Sequence, residues 1–360
     1  MIIADTIDIH QIKAYMNIRE KQEKNEMEHL AQGACLSVNS KGRLCAGKVC
    51  SIRTAFQHDR DRILHSKAFR RLKYKTQVFL SPQGDHYRTR MTHTLEVAQV
   101  ARTVARALEL NEDLTEAIAL AHDLGHTPFG HAGERVLHEL VPGGFHHVRQ
   151  SLRVVDVLEN DGAGLNLTFE VRDGILHHSK GQGGSLSASI TQRAQTLEGQ
   201  IVRLADIIAY VSHDLDDAIR GGIINNKDVP KEIVAVVGAR HSLRINHMVT
   251  DLIQQSVPAE RLIQLSPDMD QAVCALRSWL FEHVYQAPCV QAEFDKAAAV
   301  LRQLFGHFMD NQTVFLACGG HQYPGDSLAV SVADFIAGMT DRFALSLHGQ
   351  LFLPQPWRVM

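Results

Sequence analysis

Apolar side chains recur at helical spacing along most of the chain. The pattern is clearest in residues 198–220, where the apolar positions share one face of a helix: Ile201, Leu204, Ile208, Val211 and Leu215. Similar patterns predict helices at residues 11–31, 59–77, 92–110, 113–124, 143–159 and 170–178. Strand patterns are few and short, and no internal repeat occurs. The sequence therefore predicts an all-α fold.

Segments without apolar periodicity divide this helical chain. Residues 33–51 and 179–196 are rich in Gly, Ser and other polar residues, so we expect surface loops there. We predict an N-terminal helix with a flexible loop segment, a central helical core that would carry catalysis, and a helical C-terminal region packed on that core. Their predicted ranges are 1–52, 53–222 and 223–360.

The composition excludes several classes of protein. With 360 residues, 45% of them hydrophobic and 21% charged, the chain is neither disordered nor collagen-like. A formal net charge of -3 excludes a broadly polycationic nucleic-acid binder but leaves room for a local basic patch. No apolar run is long enough to span a membrane, and the N-terminus lacks a signal sequence. The six cysteines form no CxxC pair. They indicate reduced thiols, so we expect a cytoplasmic protein without a membrane partner.

Histidine is concentrated in one part of the chain. Of 21 histidines, ten lie between His86 and His178. The pair His122-Asp123 ends an apolar helical pattern, where a buried carboxylate needs a cation or hydrogen bonds to offset its desolvation. A metal ion would satisfy this pair. A helix-terminal polar pair without a metal is the alternative.

Two remote residues favour the metal. His93 starts one predicted helix, and Asp206 lies on the polar face of another. With His122 and Asp123 they would form a mixed nitrogen and oxygen site that has open coordination positions. Such a ligand set suits Mn, Mg, Co, Fe or Zn. An open position lets the ion lower the pKa of water and generate a nucleophile at neutral pH.

Longer phrases around these residues are more specific. They are RTAFQHDRDRILHSKAFRRLKYKTQVF (53–79), HYRTRMTHTLEVAQVAR (86–102), AHDLGHTPFGHAGE (121–134), QIVRLADIIAYVSHDLDDAI (200–219) and FIAGMTDRFAL (335–345). From about residue 53 to the C-terminus, the chain resembles deoxyguanosinetriphosphate triphosphohydrolase-like proteins of the HD superfamily of metal-dependent phosphohydrolases. The resemblance implies an HD-domain helical core with additional N- and C-terminal helices. It also implies hydrolysis of deoxynucleoside triphosphates, dGTP or several dNTPs, to deoxynucleoside and inorganic tripolyphosphate.

The resemblance also implies roles for individual residues. Four residues match the metal ligands of the family, namely His93, His122, Asp123 and Asp206. His131 and Glu134 match its catalytic pair. Their i, i+3 spacing would let the carboxylate orient the imidazole if that stretch is helical. The imidazole would then transfer a proton, helping either the attacking water or the leaving 5′-oxygen.

Substrate contacts are implied in the same way. Arg90 matches a residue that contacts the triphosphate. Tyr210 and Asp214 match residues that pack against and hydrogen-bond the sugar, which would leave no room for a 2′-hydroxyl. Gln77 matches a residue near the sugar and base. For Tyr210, a plain core aromatic is the alternative.

Two histidines complete the implied substrate side. His126 would face the phosphates or support the site, and satisfying free helix carbonyls is its alternative role. His147 falls where the family has a histidine near the phosphates. The family's Phe-Glu-His-Asn run is here Phe145-His146-His147-Val148, a departure on the phosphate side of the site. His178 is either a further polar group of the site or a surface helix end.

Partners follow from charge and from analogy. A basic run precedes the site and comprises Arg60, Arg62, Lys67, Arg70, Arg71, Lys73 and Lys75. We expect a solvated face or a subunit contact, and binding of a dNTP effector or of single-stranded DNA is the alternative. The resemblance also implies a homo-oligomer.

Two other functions stay open at the level of sequence. One is a broader HD phosphohydrolase that acts on nucleoside monophosphates or cyclic nucleotides. The other is a non-enzymatic regulator that binds nucleotide or DNA with the same fold.

Overall fold

The fold is all-α, as the apolar pattern predicts. The structure is a computed structural model that describes residues 18–78, 88–179, 186 and 193–354. β-Structure in these residues amounts to isolated bridges. None of the helices in the same ranges is long and apolar enough to cross a membrane. The α-helices are α1 (Ile18–His29), α2 (Ala55–Leu64), α3 (Lys67–Arg71), α4 (Arg90–Ala107), α5 (Glu112–Ala121), α6 (Gly130–Leu140), α7 (His147–Arg153), α8 (Phe169–His177), α9 (Leu197–Arg220), α10 (Lys231–Val237), α11 (His241–Gln255), α12 (Pro267–Leu280), α13 (Pro288–Asp310), α14 (Gln312–Ala317), α15 (Leu328–Ala337) and α16 (Asp341–Phe352).

Most predicted helices coincide with observed ones. The pattern at 198–220 corresponds to α9, that at 92–110 to α4, and that at 170–178 to α8. The first predicted helix corresponds to α1, and its earlier part lies in residues 1–17, outside the described residues. The loop predicted at 33–51 is confirmed, because this segment holds one short 3₁₀ turn and otherwise no helix. Most of the loop predicted at 179–196 lies outside the described residues.

The single helix predicted at 59–77 is wrong. The chain breaks at His65 and Ser66, between α2 and α3. The Ser66 hydroxyl accepts a hydrogen bond from the Phe69 backbone N–H at 3.1 Å, which caps α3 and ends the preceding helix. Local hydrogen bonding of a serine therefore overrides a continuous apolar pattern.

Two other helices are shorter than predicted. In the stretch 113–124, α5 ends at Ala121, and the chain turns so that the Leu124 N–H donates to the Ala121 carbonyl at 3.3 Å. In the stretch 143–159, α7 ends at Arg153 and a π-helical turn follows. The first of these turns is the one that carries His122 and Asp123.

Two hydrophobic clusters form the core. In the first, α9 packs against α4, α5, α8, α11 and α12. In the second, α13 packs against α6, α15 and α16. The first cluster extends along the chain from Phe56 to Val284, so residues 224–284 pack within it. This cluster continues across residue 222, so the domain boundary expected there stays a prediction.

Candidate active site

Three elements bring the predicted metal ligands together. His93 lies near the start of α4, His122 and Asp123 directly follow α5, and Asp206 lies in α9. The Nε2 of His93 lies 3.1 Å from Oδ1 of Asp206. The Nε2 of His122 lies 3.3 Å from Oδ1 of Asp123 and 3.7 Å from Oδ1 of Asp206. The structure thus gathers all four side chains in one buried cluster, called the HD cluster below.

The hydrogen bonding of His122 suits a metal. Its Nδ1 donates to the backbone oxygen of Ala119 at 2.7 Å, which leaves Nε2 as the lone-pair nitrogen. This Nε2 is buried and has no hydrogen-bond partner among the described residues. One ligand atom each of His93, His122 and Asp123 lies within 4.8 Å of the other two. The donors and the unpartnered nitrogen therefore fit a divalent cation.

Both carboxylates of the HD cluster are held in the charged form. Burial alone would raise the pKa of Asp206, but the hydrogen bond from His93 and the charges of His122 and His93 lower it to about 2. Burial opposes ionisation of Asp123 as well, and the charges of His122, His126 and Arg90 nevertheless hold its pKa well below the ordinary value. Metal binding requires this deprotonated form.

Arg90 joins the HD cluster to the start of α6. Its side chain is only 2% exposed, and Nη1 donates to Oδ2 of Asp123 at 2.8 Å. Its Nη2 lies 3.5 Å from where a Cβ on Gly130 would stand, an ordinary contact distance, so the guanidinium packs beside the start of α6. The buried Nε of Arg90 has no partner in the described ranges. The cation therefore has donor capacity that Asp123 does not use.

A carboxylate from the C-terminal region fixes the start of α6. Phe129 and Gly130 both have left-handed backbone conformations, with φ of 62° and 56°. The Phe129 N–H donates to Oδ1 of Asp341 at 3.0 Å, and the Thr76 N–H donates to Oδ2 at 2.9 Å. Asp341 is buried. It therefore holds the tight turn before α6 against the segment that precedes Gln77.

Glu134 is hydrogen-bonded to His147 and not to His131. Its Oε1 accepts from the His147 backbone N–H at 2.9 Å and from Nδ1 of the ring at 2.8 Å. The His131 Nδ1 lies 4.0 Å from the nearer oxygen. Burial would raise the pKa of Glu134, but the hydrogen bond and charge of His147 lower it strongly. The i, i+3 spacing therefore brings His131 close without forming the expected hydrogen bond.

His131 stands at the open side of the site. Its side chain is 72% exposed to solvent. The surrounding protein and the positive charge of Arg90 lower its pKa below the ordinary value for histidine. A neutral imidazole with solvent access can accept a proton at neutral pH.

His126 links the HD cluster to the Glu134–His147 pair. Its ring stacks on that of His147, with centroids 4.1 Å apart and planes at 12°. Its Nε2 donates to Oδ1 of Asp123 at 3.1 Å. Burial and the charge of Arg90 hold its pKa well below the ordinary value. The side chain therefore supports Asp123 and does not satisfy helix carbonyls, its alternative role.

Tyr210 and Asp214 follow Asp206 along α9. The Tyr210 hydroxyl accepts a hydrogen bond from Nε of Arg277, and one oxygen of Asp214 accepts from the Tyr285 hydroxyl. The other Asp214 oxygen is buried without a described partner. Burial raises the pKa of Asp214 to about 7, although the Tyr285 bond acts in the opposite direction. A polar group with unused hydrogen-bonding capacity therefore lies on this face of α9.

Gln77 lies beside the start of α6. A Cβ on Gly130 would stand 3.4 Å from the Gln77 backbone oxygen. The Gln77 Oε1 is buried and has no partner among the described residues. The structure therefore brings Gln77 near Arg90 and the turn that precedes His131.

The chain resembles known proteins over most of its length. Residues 90–211 match the HD domain family, and residues 263–350 match the phosphohydrolase-associated domain. A deoxyguanosinetriphosphate triphosphohydrolase-like protein of Caldanaerobacter subterraneus subsp. tengcongensis is 53% identical over 95% of this chain and 98% of its own length. A protein of the same description from Desulfatibacillum aliphaticivorans is 53% identical over 95% of this chain and 99% of its own.

This chain belongs to the deoxyguanosinetriphosphate triphosphohydrolase-like family of HD-domain phosphohydrolases. A relative from Clostridium tetani is 44% identical over 94% of this chain and 97% of its own. A hypothetical protein of known structure from Aquifex aeolicus matches weakly, with a TM-score of 0.44 and 18% identity over 82% of this chain and 68% of that one. The HD match includes all four residues of the HD cluster. The resemblance seen in the sequence phrases is therefore confirmed at the level of the family.

Two residues of this phosphohydrolase lie deeper than the sequence indicates. His178 is buried against the HD cluster, with its ring centroid 5.0 Å from that of His122 and 5.5 Å from that of His147. Burial lowers its pKa to about 3. Its position among the clustered histidines of residues 86–178 is the sequence feature that points to the site. Lys75 is 2% exposed and not part of a solvated face, because its ammonium donates to the carbonyls of His126 and Ala337.

Sequence patterns do not identify Arg277 and Tyr285 as neighbours of the site. They belong to α12 and the π-helical turn that follows it, about seventy residues after their partners on α9. No motif marks them in the sequence. Only the packing of α12 on α9 shows that they contact Tyr210 and Asp214.

Proposed function

We propose that this phosphohydrolase converts deoxynucleoside triphosphates, dGTP or several dNTPs, to deoxynucleoside and inorganic tripolyphosphate. The observation that carries the proposal is the sequence of Asp206, Tyr210 and Asp214 along one face of α9. Each step of four residues advances about 6 Å along a helix. A predicted metal ligand is thus followed by an aromatic ring and then by a carboxylate with an unused oxygen. This order suits a phosphate, a sugar ring and a sugar hydroxyl.

We propose that the HD cluster holds one divalent ion, with Mn, Mg, Co, Fe and Zn as the candidates. Support comes from the unpartnered Nε2 of His122 and from the low pKa of Asp123 and Asp206. When bound, such an ion polarises a phosphate oxygen and supplies a nucleophile from water at neutral pH. The side chains described next bind the substrate and move protons.

Cleavage at the α-phosphorus needs a proton at the leaving 5′-oxygen. We assign this transfer to His131: its lowered pKa leaves a neutral imidazole that can take the proton released by the attacking water and then give it to the leaving 5′-oxygen. Glu134 orients the neighbouring His147 through Nδ1, which directs the other ring nitrogen away from the carboxylate. We assign that nitrogen to a phosphate oxygen. The free donors of Arg90 would bind the distal phosphates.

Recognition of deoxyribose is assigned to α9. The Tyr210 ring would pack against C2′, and the free oxygen of Asp214 would hydrogen-bond the 3′-hydroxyl. A 2′-hydroxyl would then meet the aromatic face without a hydrogen-bond partner, which costs about 1–3 kcal/mol for a buried polar group. Gln77 would lie near the sugar and base. The names of the relatives support the same substrate class.

Product analysis tests the proposal directly. The protein is incubated with each of the four dNTPs in the presence of Mg, Mn or Co, and the phosphate products are separated by anion-exchange chromatography. We expect tripolyphosphate and deoxynucleoside in equal amounts, and little turnover of the matching ribonucleotide. The variant Asp206→Ala serves as the inactive control. Pyrophosphate or orthophosphate as the sole phosphate product would overturn the proposal.

The two alternatives predict different results in the same experiment. A broader phosphohydrolase would cleave nucleoside monophosphates or cyclic nucleotides, so these substrates are added in parallel with the dNTPs. Arg90→Ala does not separate the two functions, because Arg90 also pairs with Asp123 and its loss would disturb the HD cluster whatever the substrate. A non-enzymatic regulator would bind nucleotide without turnover under every metal. A homo-oligomer, a dNTP effector, single-stranded DNA binding and a cytoplasmic location rest on family resemblance and composition and stay proposals.

A further inference from the structure

A cationic cavity lies between α1, the segment 37–54 and α2. Its volume is about 250 Å³. Five cations line it, against the single carboxylate of Glu23: Arg19, Arg43, Lys48, Arg53 and Arg62. None of the lining residues belongs to the HD cluster or to the residues assigned to substrate. We call this space the α1–α2 cavity.

Three of the five cations have carboxylate partners. Arg19 pairs with Glu23 at 2.7 Å. Arg43 pairs with the fully buried Asp59, and Arg53 pairs with Asp61 at 2.6 Å. These pairs hold the guanidinium groups in place, and two of the three acids, Asp59 and Asp61, lie outside the lining.

The remaining two cations have no such compensation. Lys48 is exposed and forms no ion pair with any residue in the described ranges. Arg62 directs Nη1 to the backbone oxygens of Leu165 and Asn166, which carry no net charge. An anion in the cavity could therefore pair with Lys48 and Arg62 without displacing an existing salt bridge.

The start of α2 adds partial positive charge to the same space. Thr54 and Ala55 both line the cavity, and they are the N-cap and first residue of this ten-residue helix. The Thr54 hydroxyl caps the Gln57 amide. The Thr54 amide in turn donates to the Gln57 side chain, which leaves the amides of Ala55 and Phe56 without an intrahelical acceptor, and the helix dipole favours an anion at this end. Backbone and side chains thus contribute the same sign of charge.

Two titratable groups in the lining respond to this potential. Cys50 accepts hydrogen bonds from Arg53, and these lower the pKa of its thiol to about 7. Burial lowers the pKa of His58, and the charges of Arg62 and Arg53 lower it further. The arginines therefore dominate the electrostatics of the cavity, although acids partner some of them.

We propose that the α1–α2 cavity binds a polyphosphate anion, either inorganic tripolyphosphate or the phosphate chain of a nucleotide. Two cations without a carboxylate partner, Lys48 and Arg62, together with a helix start favour an anion that carries more than one negative charge. The volume is smaller than the roughly 300–1,000 Å³ of pockets that enclose a whole organic ligand. The phosphate chain is therefore the part that the cavity encloses. This inference holds whether or not the HD cluster catalyses the proposed reaction, since the two sites share no residue.

Alkylation of Cys50 provides a local readout. The protein is treated with iodoacetamide at pH 7, and modification is mapped by peptide mass spectrometry. Cys45 is the internal reference, because it is exposed and does not line the cavity. At a ligand concentration ten times its Kd we expect tripolyphosphate to slow Cys50 alkylation about 10-fold, and Cys45 alkylation to stay unchanged. Sodium sulfate at equal ionic strength controls for screening.

Matched variants connect the protection to the cavity. Lys48→Glu should abolish it, and Lys227→Glu, an exposed lysine outside the cavity, should leave it intact. A parallel arm uses dGTP with a chelator so that no turnover occurs. Protection by tripolyphosphate would show that a phosphate chain is sufficient for binding. Protection by dGTP but not by tripolyphosphate would show that the cavity binds the phosphate chain as part of a nucleotide. Either result supports the proposal. Equal protection by sulfate, or tripolyphosphate protection that survives Lys48→Glu, would overturn it.

Discussion

Glu134 accepts two hydrogen bonds from His147, one from its backbone N–H at 2.9 Å and one from ring Nδ1 at 2.8 Å. The contact joins the second turn of α6 to the first residue of α7. His126 stacks on the same His147 ring and donates to Asp123. A continuous chain of contacts therefore runs from Glu134 to a residue of the HD cluster.

Glu134→Gln tests this chain of contacts. Both His147 donors reach Oε1, and ring Nδ1 also lies 3.0 Å from Oε2. A glutamine amide in place of Oε2 sets a donor against that ring N–H and removes the carboxylate charge, so the ring is held less firmly. We expect kcat for dNTP hydrolysis to fall about 100-fold, as for the loss of a preorganised donor to the reacting phosphate. Steady-state kinetics with product detection measures it. Glu139→Gln, an exposed position on the same helix, is the control, and a kcat within about twofold of wild type in Glu134→Gln would refute the role.

The Glu134–His147 contact shows where sequence reasoning stops. The motif phrases identify Glu134, His131 and His147 as site residues, and helical spacing places the first two on one face. Which of the two histidines donates to Glu134 depends on the path of residues 141–146. Local periodicity contains no information about that path. The same limit explains Lys75, whose ammonium is satisfied by carbonyls 51 and 262 residues further along the chain.

Metal binding by the HD cluster makes a prediction that does not depend on the substrate. Asp206→Ala removes one of the predicted carboxylate ligands and the hydrogen-bond acceptor of His93. We expect loss of bound metal, measured by elemental analysis, together with loss of hydrolysis. Asp216→Ala, further along α9, should retain both. Added Mn or Co should raise the thermal midpoint of wild type and not of Asp206→Ala, since only a folded site binds the ion.

If Asp206→Ala kept a full complement of metal, the assignment of the HD cluster would be wrong. Retained metal with lost activity would instead give Asp206 a role in catalysis alone. Loss of both is the result expected from a ligand.

Asp341 makes a separate prediction about positioning. Its two oxygens accept the N–H groups of Thr76 and Phe129, so Asp341→Ala leaves two buried donors unpaired. Unpaired buried donors cost about 1–3 kcal/mol each. We therefore expect a lower thermal midpoint, and a lower kcat because α6 no longer starts from a fixed turn. Asp310→Ala, an exposed position at the end of α13, is the matched control.

Asp341→Asn distinguishes positioning from general stability. Asparagine keeps one acceptor oxygen, so it should recover part of the thermal midpoint and part of kcat together. Recovery of stability without any recovery of kcat would contradict a positioning role through these two hydrogen bonds.

The helices themselves could be read from the sequence with few errors, and the errors have local causes. The breaks at Ser66 and after Ala121 come from hydrogen bonds that compete with a continuing helix. α9 was predicted correctly because its apolar stripe is long and uninterrupted. Its polar face was therefore also predictable, whereas the residues of α12 that meet that face were not, since no periodic signal reports which two helices pack together.

Asp214 predicts a pH dependence of stability. Burial raises its pKa from 3.8 to about 7. The folded protein therefore holds a proton that the unfolded chain has already released in this window. Stability must then fall as pH rises from about 4 through 7, because the folded state has to ionise a buried carboxyl. The variant Asp214→Asn carries no charge at this position at any pH, so its stability does not fall for this reason. The fall expected for wild type is on the order of 1–4 kcal/mol by the size of the pKa shift.

The measurement compares thermal midpoints of wild type and Asp214→Asn at pH 5 and pH 8. The difference in thermal midpoint, variant minus wild type, should be a few degrees larger at pH 8 than at pH 5. Asp268→Asn, an exposed aspartate on α12, should show no such change. The Tyr285 hydroxyl can donate to the amide oxygen of the introduced asparagine as it does to the carboxyl, so the comparison isolates ionisation from hydrogen bonding. A constant difference between wild type and variant across the pH range would show that Asp214 titrates outside this window.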